Sequence, residues 1–122
     1  MGNFDSIVFP RPSPPHYDSS HENLHWADRR VTKIDNSDTN KPLKKIPYML
    51  HGSPLPSDKI IIYFHGNASD LGKSESFCSM LAFYWNFNVL SVEYPGYGAY
   101  KDIVCSEESI LEDSLIIYDF LT

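Results

Sequence analysis

The stretch best suited to chemistry is His65-Gly66-Asn67-Ala68-Ser69-Asp70-Leu71-Gly72, which follows an apolar run. Gly66 has no Cβ, so the backbone there can approach a ligand closely. The N–H groups of Asn67 and Ala68 then face outward beside the start of a helix. They form a donor pair for a developing oxyanion, or for any anion. A second loop, Tyr94-Pro95-Gly96-Tyr97-Gly98, follows a second apolar run. In open α/β sheets ligands bind beyond the carboxyl ends of the strands, and both loops fall there.

The same stretch nearly spells a phosphate-binding loop, Gly66 to Gly72-Lys73-Ser74. That loop needs four residues between its glycines so that the backbone can wrap a phosphate. Here there are five, and the second strand ends in Glu93-Tyr94 rather than Asp. Nucleotide binding is a remote alternative. His16, His21 and His25 match no zinc-ligand spacing and have no cysteine nearby, so no metal or other cofactor is expected. Cys78 and Cys105 follow no secretory leader, since Ile7-Val8-Phe9 is stopped by Pro10, and both read as free thiols in a reducing, cytoplasmic setting. Met1-Gly2-Asn3-Phe4-Asp5-Ser6 fits the N-myristoylation pattern at Gly2, which implies peripheral membrane contact. One acyl chain anchors only marginally.

The elements that must position these loops are legible in the periodicity. Ile60 to Phe64 is a continuous apolar run, the pattern of a strand covered on both faces, and Val89 to Tyr94 reads as a second buried strand. Between them Leu71 to Trp85 reads as a helix. Its apolar stripe is Phe77, Met80, Leu81, Tyr84 and Trp85, and Asn86 and Asn88 end it. Val31 to Asp35 and Ile46 to Leu50 are shorter strand candidates. Ser106 can cap a last helix, with Glu107 and Glu108 against its dipole and Ile110, Leu111, Leu115, Ile117, Tyr118 and Leu121 as its apolar side. The order predicts an α/β architecture. Residues 1–30 show no period and hold four of the nine prolines, so they read as an irregular leader; residues 31–122 read as the folded domain.

The net charge of −6 argues against nucleic acid, which needs clustered Lys and Arg. Six of the ten cations do cluster between Arg29 and Lys45; they read as a solvated basic strand-and-turn region, with a membrane-facing basic patch as the alternative.

The string from Ile61 through His65-Gly66-Asn67-Ala68-Ser69-Asp70-Leu71-Gly72, followed by Asn88 to Gly98, resembles the α/β-hydrolase superfamily. It is most similar to the intracellular ABHD-type protein depalmitoylases. Phe9-Pro10 through Pro14-Pro15-His16-Tyr17, Leu24-His25-Trp26 and Ile46 to Leu50 resemble the same branch. The resemblance implies a partial α/β-hydrolase fold: the N-terminal strands and first two helices of a mostly parallel sheet. It also implies an acyl-ester or acyl-thioester substrate and makes the Asn67 N–H one arm of an oxyanion hole. His65 is then structural. The family's nucleophile sits in a G-x-S-x-G elbow after the next strand, with the acid and histidine later. No serine here lies in such a string, and Thr122 comes before that point. The chain alone is therefore expected to be inactive, and a non-catalytic binding module is the main alternative. In the resembled fold Ile60–Phe64 lies between Val89–Tyr94 and the nucleophile strand, so one of its edges is expected to be unpaired here.

Overall fold

Two helices are delimited by short polar side chains that replace missing backbone partners. The computed structural model of the chain describes residues 9–29, 44–66, 68–101 and 103–122. Helix α1 spans Leu71–Trp85, with the Asp70 carboxylate accepting from the Lys73 N–H at its start and Asn86 in the left-handed region at its end. Helix α2 spans Glu107–Leu121 and opens on a capping box, in which Ser106 and Ser109 satisfy each other's N–H groups.

The strands are β1 (Leu24–Asp28), β2 (Lys45–His51), β3 (Ile60–Phe64) and β4 (Asn88–Val92), in the sheet order β1-β2-β4-β3. Only β3 and β4 run parallel; β1 with β2 and β2 with β4 are antiparallel. The described sheet is therefore mixed, not mostly parallel. Successive side chains point to opposite faces of a strand, and this alternation distributes the core. Leu90 and Val92 of β4 join Ile46 and Tyr48 of β2 and Ile117 of α2 in one cluster. Val89 joins Cys78 and Ala82 of α1, with Ile61 and Tyr63 of β3 beside it. The two helices thus cover opposite faces of the sheet.

The expected strand at Val31–Asp35 lies outside the described residues. The partner of β2 is instead Leu24–Asp28, from the segment read as an irregular leader. Only Ala27 of β1 is fully buried, so its sequence carries almost no alternation. The side chain of Arg29, just beyond β1, pairs with Asp113 (2.7 Å) and Glu112 (2.6 Å) of α2, and the Tyr100 hydroxyl donates to the other Asp113 oxygen (2.7 Å). These contacts tie the edge strand to the far helix.

The apolar stripes expected to face the core do so only in part: Ile117 and Leu121 of α2 and Leu81 of α1 pack against it. In α1 the buried residues are Leu71, Ser74, Cys78 and Ala82, with Leu81 half-buried, whereas Phe77, Met80, Tyr84 and Trp85 are exposed. Small side chains let the helix lie close on β4, and the bulky ones fall outside the contact. In α2 Ser109, Asp113 and Ile117 are buried, while Leu111, Leu115 and Tyr118 are exposed. The doubly covered state expected for both strands holds for β4, but β3 is an edge of the sheet among the described residues, with Ile60 43% and Phe64 40% exposed.

Candidate functional site

The loops after β3 and β4 meet at the carboxyl ends of the parallel pair, and one buried carboxylate joins them. Glu93 follows the last residue of β4. Its Oε1 lies 2.6 Å from His65 Nε2 and accepts from the Tyr94 N–H (3.1 Å). Its Oε2 accepts from the Tyr17 hydroxyl (2.5 Å) and from the Leu71 N–H (3.2 Å) at the start of α1. Both Glu93 and His65 are excluded from solvent. His65 Nδ1 lies 3.0 Å from the Gly66 carbonyl, so each ring nitrogen is already engaged with an oxygen. Both ring nitrogens face protein oxygens within a solvent-excluded site, so the ring bridges the two loops. The Tyr94 hydroxyl donates to the His65 carbonyl (2.7 Å) and its ring packs against the imidazole.

A strap of residues 9–19 lies over these loops. His16 donates its N–H to Asp70 (2.8 Å), and its Nδ1 lies 3.1 Å from the same oxygen. Burial alone raises the Asp70 carboxyl, but the hydrogen bonds from His16 and Lys73 outweigh it and hold the group below the usual range. The Tyr17 hydroxyl accepts from the Ala99 N–H (3.1 Å) while donating to Glu93. A Cβ at Gly98 would sit 2.3 Å from that hydroxyl, and the φ of +51° there also favours glycine. Arg11 donates to the Gly96 carbonyl (3.1 Å), and the Tyr97 hydroxyl donates to the Pro10 carbonyl (2.8 Å). Burial pushes the Tyr97 phenol up to about 12.

Of the expected site residues, Asn67 and Gly2 lie outside the described residues. Ala68 is described, and its N–H does not face an open cavity. Its left-handed φ of 61° turns the amide toward the strap, where it donates to the Pro10 carbonyl (2.8 Å). Space beside Gly66 is open, with nothing within 4 Å of where a Cβ would stand. The phosphate-loop alternative meets an electrostatic obstacle. The α1 N-terminus, where a phosphate would bind, already has Glu93 on the Leu71 N–H and Asp70 on the Lys73 N–H. Two carboxylates occupy and repel that position. Among the three leader histidines, His16 meets Asp70, His21 meets Glu75 (2.8 Å) and His25 stacks on Tyr48. Among the described residues no three His, Cys, Asp or Glu side chains gather as a metal site.

The sequence reading missed Glu93 and Tyr17 as the centre of this cluster. The available signal was an acid ending an otherwise apolar strand, a placement that requires a partner for the buried charge.

No family model matches the chain, and no solved structure matches it. Among curated proteins it is similar to alpha/beta hydrolase domain-containing protein aho-3 of Caenorhabditis elegans, 37% identical over an alignment of 82 positions. The alignment takes in 53% of this chain and 25% of the relative, so the chain spans about a quarter of the curated relative's length. With the mixed sheet and its two helices, this is a likeness to the α/β-hydrolase superfamily.

Proposed function

We propose that the chain is the N-terminal part of a serine α/β-hydrolase acting on acyl esters or acyl thioesters, in the manner of a protein depalmitoylase. The supporting observation is the clamp at Glu93. It fixes the His65-Gly66 loop to the Tyr94–Gly98 loop at the carboxyl ends of the two parallel strands, where a hydrolase holds its oxyanion donors. In this reading the Asn67 N–H stabilises the tetrahedral oxyanion, with Ala68 beside it once its amide is released from Pro10. The nucleophile, acid and base come from elsewhere in a longer polypeptide. Gly2 carries a myristoyl group in the same reading, which places the protein in the cytoplasm against a membrane surface. Among the described residues no helix is long and apolar enough to cross one.

The test is a fluorophosphonate probe with a palmitoyl-thioester substrate. The 122-residue chain should take no label, whereas a longer polypeptide carrying it together with a G-x-S-x-G serine should be labelled and should cleave the thioester. A longer polypeptide that shows neither refutes the proposal. A non-catalytic module is the second reading, favoured by the engagement of the Ala68 amide with Pro10.

A further inference from the structure

Two donors from different loops meet on one oxygen of the strap. The Pro10 carbonyl accepts from the Ala68 N–H at 2.8 Å and from the Tyr97 hydroxyl at 2.8 Å. Ala68 stands on the loop after β3 and Tyr97 on the loop after β4, at the carboxyl ends of the parallel pair. Backbone N–H groups and tyrosine hydroxyls that converge at about 2.7–3.1 Å on one oxygen are the means by which acyl-transfer sites hold a carbonyl as it gains charge. Both donors are fixed in place. The left-handed φ of 61° aims the Ala68 amide, and the Ser69 N–H closes the turn on the Gly66 carbonyl (3.2 Å). Tyr97 is 1% exposed, with its ring against those of His65 and Tyr94. Its raised phenol stays protonated, and so stays a donor, at neutral pH.

The strap that supplies this carbonyl is held unevenly. At its rear, the His16 N–H and the Tyr17 hydroxyl donate to the buried carboxylates of Asp70 and Glu93. At its front, both bonds to Pro10 join neutral groups, and Arg11 reaches the Gly96 carbonyl through a solvent-exposed contact. Ser13, Pro14 and Pro15, between the two ends, are exposed. Hydrogen bonds to ionised groups are roughly twice as strong as those between neutral ones. The strap is therefore built to hinge at His16-Tyr17 and to lift at Pro10.

We propose that the Ala68 N–H and the Tyr97 O–H form a carbonyl-binding pair whose resident occupant is the Pro10 carbonyl, and that the acyl carbonyl of a substrate replaces it when the front of the strap lifts. The chain then carries its own competitive inhibitor, and Tyr97 is a binding residue for the acyl group. The exchange swaps one acceptor for another and breaks no covalent bond. This deepens the hydrolase reading and rests on it for the class of ligand.

In the 122-residue chain the Ala68 amide should exchange with hydrogen isotopes at least about tenfold faster than the amides of Leu71 and Ala99, which Glu93 and Tyr17 hold. Arg11→Ala, at an exposed side chain, should speed Ala68 further and leave the other two unchanged. Methyl octanoate, an acyl ester, should shift the Ala68 amide resonance saturably, and at lower concentration in Arg11→Ala than in the parent. Methyl octyl ether, with a like chain and no carbonyl, should leave that resonance in place. Tyr97→Phe in the Arg11→Ala background should weaken the ester about fivefold or more, through the loss of one hydrogen bond. None of these readouts is turnover, so failure here is distinct from a failure of fluorophosphonate labelling in a longer polypeptide. Ala68 exchange no faster than that of Leu71 and Ala99, a resonance that the ester does not move, an equal response to the ether, or a Tyr97→Phe chain that keeps the circular dichroism and the ester affinity of its background would each overturn the proposal.

Discussion

Replacing Tyr17 with Phe removes one oxygen that serves two buried partners. The hydroxyl donates to Glu93 Oε2 at 2.5 Å and accepts from the Ala99 N–H at 3.1 Å. A hydrogen bond to a charged group contributes about 1.5–3 kcal/mol, and an amide left without its acceptor costs about 1 kcal/mol more, so the expected loss is about 3 kcal/mol. With a urea slope of about 2 kcal/mol per M, the unfolding midpoint should fall by about 1.5 M. In a Glu93→Gln background the same change should cost far less, because the charged partner is already gone. Alkaline titration adds an independent check. Burial first, and the Glu93 charge second, hold the Tyr17 phenol well above the usual tyrosine range. A group whose pKa is raised by folding stabilises fully below its unfolded value, about 10 for tyrosine, and loses that contribution as pH rises through the folded value. The parent should therefore weaken above about pH 10 more steeply than Tyr17→Phe does. A midpoint shift under about 0.3 M with an unchanged alkaline limb would mean that the strap is an ornament rather than part of the fold.

Gly98→Ala should destabilise by at least about 2 kcal/mol in the same urea assay, combining a left-handed backbone with a methyl driven into Tyr17; an unchanged midpoint would contradict the close approach. Arg29→Ala strands the Asp113 carboxylate, whose carboxyl is already raised by burial despite Arg29, at a cost of about 3 kcal/mol. Arg29→Lys should recover only part of that loss, and full recovery would mean that the bond at Nε is dispensable. Gly2→Ala should abolish membrane partitioning in a eukaryotic host, scored by fractionation; retention at the membrane would remove the lipid reading.

How much of this was legible depended on where the information lay. Leu71–Trp85 was legible from its apolar recurrence and from Asn86 and Asn88, which end it; the Asp70 cap at its start was not singled out. Strand β3 was equally plain from its β-branched run. Strand β1 was not, because one buried alanine in five residues leaves no alternation to detect. The outward face of α1 was misassigned for a reason particular to close packing. The helix sits on β4 through Ser74, Cys78 and Ala82, and hydrophobicity alone cannot favour these over Phe77, Tyr84 or Trp85. The clamp at Glu93 joins positions 17, 65, 71 and 93, and no spacing rule reaches across such separations. Only the oddity of an acid at the end of an apolar strand pointed to it.

Cys78 gives the fold an internal clock. Its side chain is sealed between α1 and the sheet, and burial pushes the thiol up to about 11, so in the closed molecule it is both unreachable and a poor nucleophile. A thiol reagent can modify it only during the moments when the helix lifts from β4. At high reagent concentration the rate of modification becomes the rate of lifting; at low concentration it reports the fraction of time spent open. The frequency with which α1 leaves the sheet can thus be counted with one native atom, with no label introduced.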